Sequence, residues 1–200
     1  MSTTTTINFL PWRGENYDIG RSGKRILILG ESHYNWDSNY RIEDDPEVTK
    51  RIIKEQIDET FTAKFWTNIA IMFLGKKPTP EEKRDFWHSV AFYNYVQYSA
   101  GEKPRIAPGA DKFENSEPAF YEVLDTLKPQ LLVVLGYRLW EHVPGTGWES
   151  GPAIESKENV GTGCYKYSEG SCFVVGVKHP SSGFNGLKWN PVITEAIKTA

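Results

Sequence analysis

Residues 176–185 read GVKHPSSGFN and overlap the end of the apolar run CFVVGV (172–177). A buried strand that opens into a turn with one imidazole and two small hydroxyls carries the parts of a polar site. His179 can hold or give a proton near neutral pH. Ser181 and Ser182, with the turn amides, can bind phosphate oxygens at close range, and Lys178 and Lys188 add positive charge locally. Gly183 shapes the turn, and Phe184 is either an apolar wedge or a surface-facing aromatic. The competing reading of His179 is a ring that caps the strand or satisfies a core carbonyl.

Three further sets of polar residues follow apolar runs. Gly30, Glu31, Ser32, His33, Tyr34 and Asp37 come after KRILIL, Asn94 and Gln97 close SVAFYNYVQ, and Gly136, Tyr137 and Arg138 follow QLLVVL. A carboxylate from Asp37 or Glu31 could accept a proton from water and stabilise a developing cation. Glu31 suits equally an inward turn that holds backbone, and Asp37 in NWDSN suits an Asx turn. Ser32 could hold the water by hydrogen bonding alone, and His33 offers an alternative base or a phosphate ligand. Asn94 presents an acceptor and a pair of donors in one plane, which fits the edge of a pyrimidine or a buried bridge between strands. Phe61, Phe65, Trp66 and Phe73 are spaced as a helix face, and either pack a core or give a base an aromatic floor.

The elements that must position these groups alternate. Short apolar runs at 24–32, 89–97, 130–136 and 172–177 predict strands buried on both faces. Between them, 45–66 reads as helical with Ile52, Ile53 and Ile57 on one face. TPEEKRDFWH carries a capping box from Thr79 and Glu82 with Pro80 at the first helical position. SEPAFYEVLDTLKP predicts a helix capped by Ser116 and stopped by Pro129, and the last helix is expected to start at Asn190. The stretches GEKPRIAPGADKFENSE and ENVGTG read as loops. Alternating strand and helix predicts a three-layer α/β/α sandwich around a central, mostly parallel four-stranded sheet, as one domain over residues 1–200. In such sheets ligands sit outside the carboxyl ends of the strands, so four strand ends deliver polar groups to one rim.

Composition bounds the function. With 200 residues, 39% of them apolar, the chain can bury a core. Its net charge of −3 excludes a global basic field, so any polyanion site must be local. No stretch reaches the ~18 apolar residues of a membrane span, and the start MSTTTTINFLPW lacks the pattern of a leader, so a cytoplasmic monomer with no membrane partner is expected. The two cysteines, Cys164 and Cys172, flank a hairpin-like YKYSEGS. They are too few for an iron–sulfur cluster or a four-cysteine zinc site, and read as reduced thiols, with a cross-strand disulfide as the minor alternative. No metal and no cofactor is expected.

Taken in order, GESHY (30–34), FYNYV (92–96) and HPSSGFN (179–185) resemble the motifs of the uracil-DNA glycosylase superfamily, over roughly residues 24–199. The resemblance implies that family's fold and the hydrolysis of the N-glycosidic bond of a flipped-out base to leave an abasic site, with DNA as partner. It implies that Asn94 reads the base with Gly30 and Tyr34 beside it, and that His179 donates to the base oxygen that becomes anionic. It places Lys178, Ser181, Ser182, Gly183 and Phe184 on the DNA. The sequence departs from the pattern at Ser32, where the family has Asp, Asn or Ala, and at His33, where it has proline. It departs also at Ser182 and Gly183, where proline and a wedging leucine often stand. Uracil or another modified pyrimidine remain alternative substrates, in repair or in defence against phages with modified DNA. A catalytically silent nucleic-acid-binding module and a hydrolase of free nucleosides are the rival classes.

Overall fold

The computed structural model describes residues 5–35, 40–102, 106–181 and 183–200. Asp37 and Ser182 therefore lie outside the described residues. In chain order the elements are β1 (Trp12–Arg13), β2 (Ile26–Gly30), α1 (Val48–Ile57), α2 (Lys64–Leu74), α3 (Pro80–His88), β3 (Ala91–Asn94), α4 (Ala110–Glu114) and α5 (Glu117–Leu127). They continue as β4 (Leu131–Leu135), α6 (Tyr137–His142), β5 (Trp148–Ser150), β6 (Gly161–Tyr167), β7 (Gly170–Val177) and α7 (Gly186–Thr199).

The strands form one mixed seven-stranded sheet in the order β1-β3-β2-β4-β7-β6-β5. Its centre is the four apolar runs. β3, β2, β4 and β7 pair in parallel, while β1, β6 and β5 add antiparallel edges. The expectation of four strands thus identified the parallel centre and missed the edge strands β1 and β5. β6 is the first arm of the expected hairpin, and it begins at Gly161, inside a stretch read as loop.

Side chains alternate along each central strand, so each feeds two cores. Ile26, Ile28, Val133 and Val175 face α1, α2, α3 and α7; Leu27, Leu29, Val134 and Val174 face α4, α5 and α6. Helices therefore cover both faces, as a parallel sheet requires. Cys164 and Cys172 fall on opposite faces of the sheet, which rules out a disulfide between them. Both are free thiols, and burial pushes that of Cys172 up to about 12.

Two helix boundaries differ from the sequence reading, and one expected cap lacks its side-chain bond. A single helix over 45–66 would be about 33 Å long at roughly 1.5 Å per residue, about twice the span of a strand the length of β2. The chain breaks there instead. Glu59 takes a left-handed conformation (φ 57°), the amides of Thr60 and Phe61 donate to the Glu55 carbonyl, and α2 restarts at Lys64. Ser116 stands at the N-cap position of α5 as expected, its carbonyl accepting from the Phe120 amide, but its side chain makes no capping bond. It is fully buried, donating to the Lys112 carbonyl and accepting from the Gln97 amide. α7 starts before Asn190: Asn185 caps it by accepting from the Leu187 amide, Pro191 lies inside the helix, and Asn190 donates to the Met72 carbonyl at the end of α2. The expected capping box of α3 is present, with Thr79 and Glu82 bonded reciprocally.

Removing the Thr79 hydroxyl leaves one orphan amide at the start of α3. Thr79→Ala is expected to lower stability by about 1 kcal/mol, read as a lower urea midpoint at unchanged slope.

Candidate active site

The carboxyl ends of the central strands lie in register: Gly30 of β2 pairs with Asn94 of β3, and Leu135 of β4 with Val177 of β7. The residues that follow them meet around one cavity of about 1050 Å³. Its lining includes Glu31, Ser32, His33 and Tyr34 after β2, Asn94 at the end of β3, Arg138 on α6, and His179 and Ser181 after β7.

Asn94 is 7% exposed, and among the described residues its side-chain amide has no hydrogen-bond partner. Its backbone carbonyl accepts from Gln97, whose own oxygen holds the amides of Asn8 and Phe9, so Gln97 fixes backbone. Gly30 makes room for the Asn94 side chain. A β-carbon at residue 30 would stand 2.2 Å from Asn94 Oδ1 and 2.8 Å from Phe92 Cζ, well inside contact distance.

His179 follows β7 with its ring 5.2 Å from that of Phe65 on α2. Its other neighbour is Gly136, whose φ of 113° and missing side chain let the turn into α6 lie against the imidazole. The turn behind it is tied down twice: the Ser181 amide donates to the His179 carbonyl, and Asn68 of α2 donates to the Pro180 carbonyl. Among the described residues no group bonds either ring nitrogen. The residue as a whole is exposed, but packing against Phe65 strips water from the ring, and that desolvation lowers its proton affinity. The charge of Glu31 opposes the effect and that of Arg138 adds to it. A ring held neutral still offers one N–H.

Glu31 is not a free base. Its side chain is 9% exposed and both carboxylate oxygens accept from Arg138, one from Nε at 2.7 Å and the other from Nη2. A two-pronged pair of this kind fixes geometry as well as charge. It joins the end of β2 to α6, the same helix start that seats His179. Sequence reasoning placed Arg138 on the rim but did not select it.

Ser32 Oγ is buried on the cavity wall without a hydrogen-bond partner among the described residues. His33 departs from its expected roles. It is 4% exposed, with Nε2 2.8 Å from Thr49 Oγ1 and its ring edge-on to Phe9. Burial, aided by Arg51, drives its pKa down to about 3, so the ring stays neutral and serves as wall rather than as a phosphate-binding cation.

The residues assigned to DNA divide. Ser181 is exposed and lines the cavity. Lys178 is exposed, with Nζ donating to the carbonyl of Gly183, which takes φ 75°. Phe184 is not a free wedge. It is half-buried and lies parallel to Trp189 of α7, with ring centroids 6.0 Å apart. The apolar side chain that does stand out nearby is Leu187, 54% exposed.

Of the aromatic residues, Phe65 and Phe92 present rings to the cavity, Phe61 stands 51% exposed beside it, Trp66 lines it from within the core, and Phe73 packs in the core away from it. Among the described residues no group of three or more His, Cys, Asp or Glu side chains comes together as a metal site would require.

Two outcomes follow from the packing. Gly30→Ala is expected to displace the Asn94 amide, read as a shift of its side-chain signals in a nuclear magnetic resonance spectrum. His33 sets a pH dependence of stability. In the unfolded chain its ring titrates near 6.5, so below that pH the unfolded state binds a proton the native state refuses, down to about pH 3. Its contribution is complete above about pH 6.5 and falls by about 1–2 kcal/mol by pH 5. Urea unfolding at the two pH values measures the loss, and His33→Gln should flatten it. No protein-family model matches this chain, and no curated protein matches it either.

Proposed function

We propose that this protein is a metal-free, monofunctional DNA glycosylase that hydrolyses the N-glycosidic bond of a flipped-out uracil or other modified pyrimidine and leaves an abasic site. The observation that carries the reading is the convergence on one aromatic-walled cavity of two polar side chains without a partner among the described residues, the Asn94 amide and the His179 imidazole. The order of GESHY, FYNYV and HPSSGFN at the carboxyl ends of three of the parallel strands supports a uracil-DNA-glycosylase-like layout.

A base inside a duplex is out of reach, so the nucleotide is extruded and held by its edge and faces. Asn94 pairs with the pyrimidine edge, and the amide can turn to suit uracil or cytosine. As the C1′–N bond stretches, the base takes up the bond pair and the sugar becomes an oxocarbenium-like cation. The His179 N–H donates to the base oxygen that gains charge, in a setting where one such donor contributes a factor of roughly 10²–10³ in rate. Water adds to C1′ and loses a proton to solvent, and the departed base anion takes one up at its ring nitrogen, so the products are the sugar hydroxyl and the neutral free base. Ser32 Oγ, without a partner among the described residues, can hold that water. The Glu31–Arg138 pair, neutral overall, holds the end of β2 to α6 and does not act as the base. Ser181 and the turn amides take the flanking phosphates.

One observation favours the rival, a catalytically silent nucleic-acid-binding module. Ser32 stands where a water-activating carboxylate would serve, and Glu31, its chain neighbour, is fully paired. A single variant separates the two. In the enzyme, His179→Ala is expected to lower formation of alkali-labile sites by roughly 10²–10³-fold with duplex affinity nearly intact. Absence of product from the unaltered protein on uracil, 5-substituted cytosines and phage DNA, with binding retained, would establish the silent module.

A further inference from the structure

The cavity measures about 1050 Å³. That matches the roomiest of the sites that enclose drug-sized ligands, at roughly 1000 Å³. A pyrimidine ring engaged by Asn94 and His179 leaves much of it unfilled. A further wall, which the base and sugar do not use, comes from α1 and the turn that breaks it from α2. It presents Ile52 and Glu55 from α1, and Thr60 and Phe61 from the turn.

The polar groups of that wall are uneven. Arg51, which also reaches the cavity, is committed: its Nη2 donates to Asp45 at 2.6 Å and to the Tyr40 hydroxyl at 2.5 Å. The Glu55 carboxylate has only a loose partner among the described residues, Arg51 Nη1 at 3.8 Å. The Thr60 hydroxyl makes one long contact of 3.4 Å to the Glu55 carbonyl. The wall therefore offers free acceptors and, among the described residues, no free cation. Its remaining surface is the half-open ring of Phe61, 51% exposed.

We infer that Glu55, Thr60 and Phe61 form a specificity subsite for a neutral, hydroxyl-bearing substituent on the pyrimidine, such as a sugar. Hydroxyl donors satisfy the Glu55 carboxylate in charge-assisted bonds, and the C–H face of such a group lies on Phe61. An anionic substituent meets like charge at Glu55. The inference rests on the glycosidase reading and deepens it: the substrate is an enlarged pyrimidine rather than plain uracil.

The test uses duplexes carrying one uracil or one glucosylated 5-hydroxymethylcytosine, with alkali-labile breaks as the readout. The glucosylated base is expected to leave at least tenfold faster by kcat/KM. Glu55→Leu should reduce that value tenfold or more, as the loss of hydrogen bonds to a charged group does, while changing the uracil value less than twofold. Phe61→Ala is expected to act in the same direction, and unchanged melting temperatures keep folding out of the comparison. Cleavage of uracil in preference, cleavage of a hypoxanthine duplex in preference to both, or an equal effect of Glu55→Leu on both pyrimidines overturns the subsite while leaving the glycosidase reading standing. Cleavage of no duplex overturns both.

Discussion

Asn94 can turn its amide to the cavity only because residue 30 has no side chain. The two residues are register partners on neighbouring parallel strands, and the space a β-carbon would need at Gly30 is filled by Asn94 Oδ1 and the Phe92 ring. That close approach places a planar donor–acceptor pair at the floor of the site. It also fixes where the chain after β2 must travel, since the Gly30 and Glu31 carbonyls accept from the Tyr95 and Val96 amides. Glu31, Ser32 and His33 are thereby held against the strand that carries Asn94.

The second half of the site is built from the opposite side of the sheet centre. β4 is followed by Gly136, whose positive φ lets α6 begin against the His179 ring, and two residues on Arg138 reaches back to Glu31. One short helix start therefore connects the ends of β2, β4 and β7. This arrangement explains why a buried carboxylate is tolerated beside an imidazole whose proton affinity is lowered: the anion is neutralised by a forked partner before the histidine is reached.

Much of this was legible in the sequence, for physical reasons that also show where legibility stops. The four central strands are continuous apolar runs because both of their faces are buried, so their positions and the rim of polar residues after them could be read directly. The capping box of α3 is a local pattern and was equally plain. The α7 start was misread because Asn190–Pro191 imitates a cap followed by a first-turn proline, whereas the real cap is Asn185, more than a turn earlier. Phe184 looked like a projecting wedge because its stacking partner, Trp189, faces it only once the helix phase is known. Arg138 and Glu31 are 107 residues apart, and no spacing rule links them. The break between α1 and α2 follows from the size of the sheet, a tertiary constraint, and with it the cavity wall formed by Glu55, Thr60 and Phe61 stayed hidden.

The central claim is that Asn94 and His179 engage one extruded base in the same cavity. It is tested most directly by nuclear magnetic resonance of the Asn94 side-chain amide and the His179 ring during titration with a duplex whose target nucleotide carries a 2′-fluoro group to slow loss of the base. Both signals should shift together along one binding curve, and a matched duplex without the modified base should move neither. Shifts of only one residue, or equal shifts with both duplexes, would contradict the account.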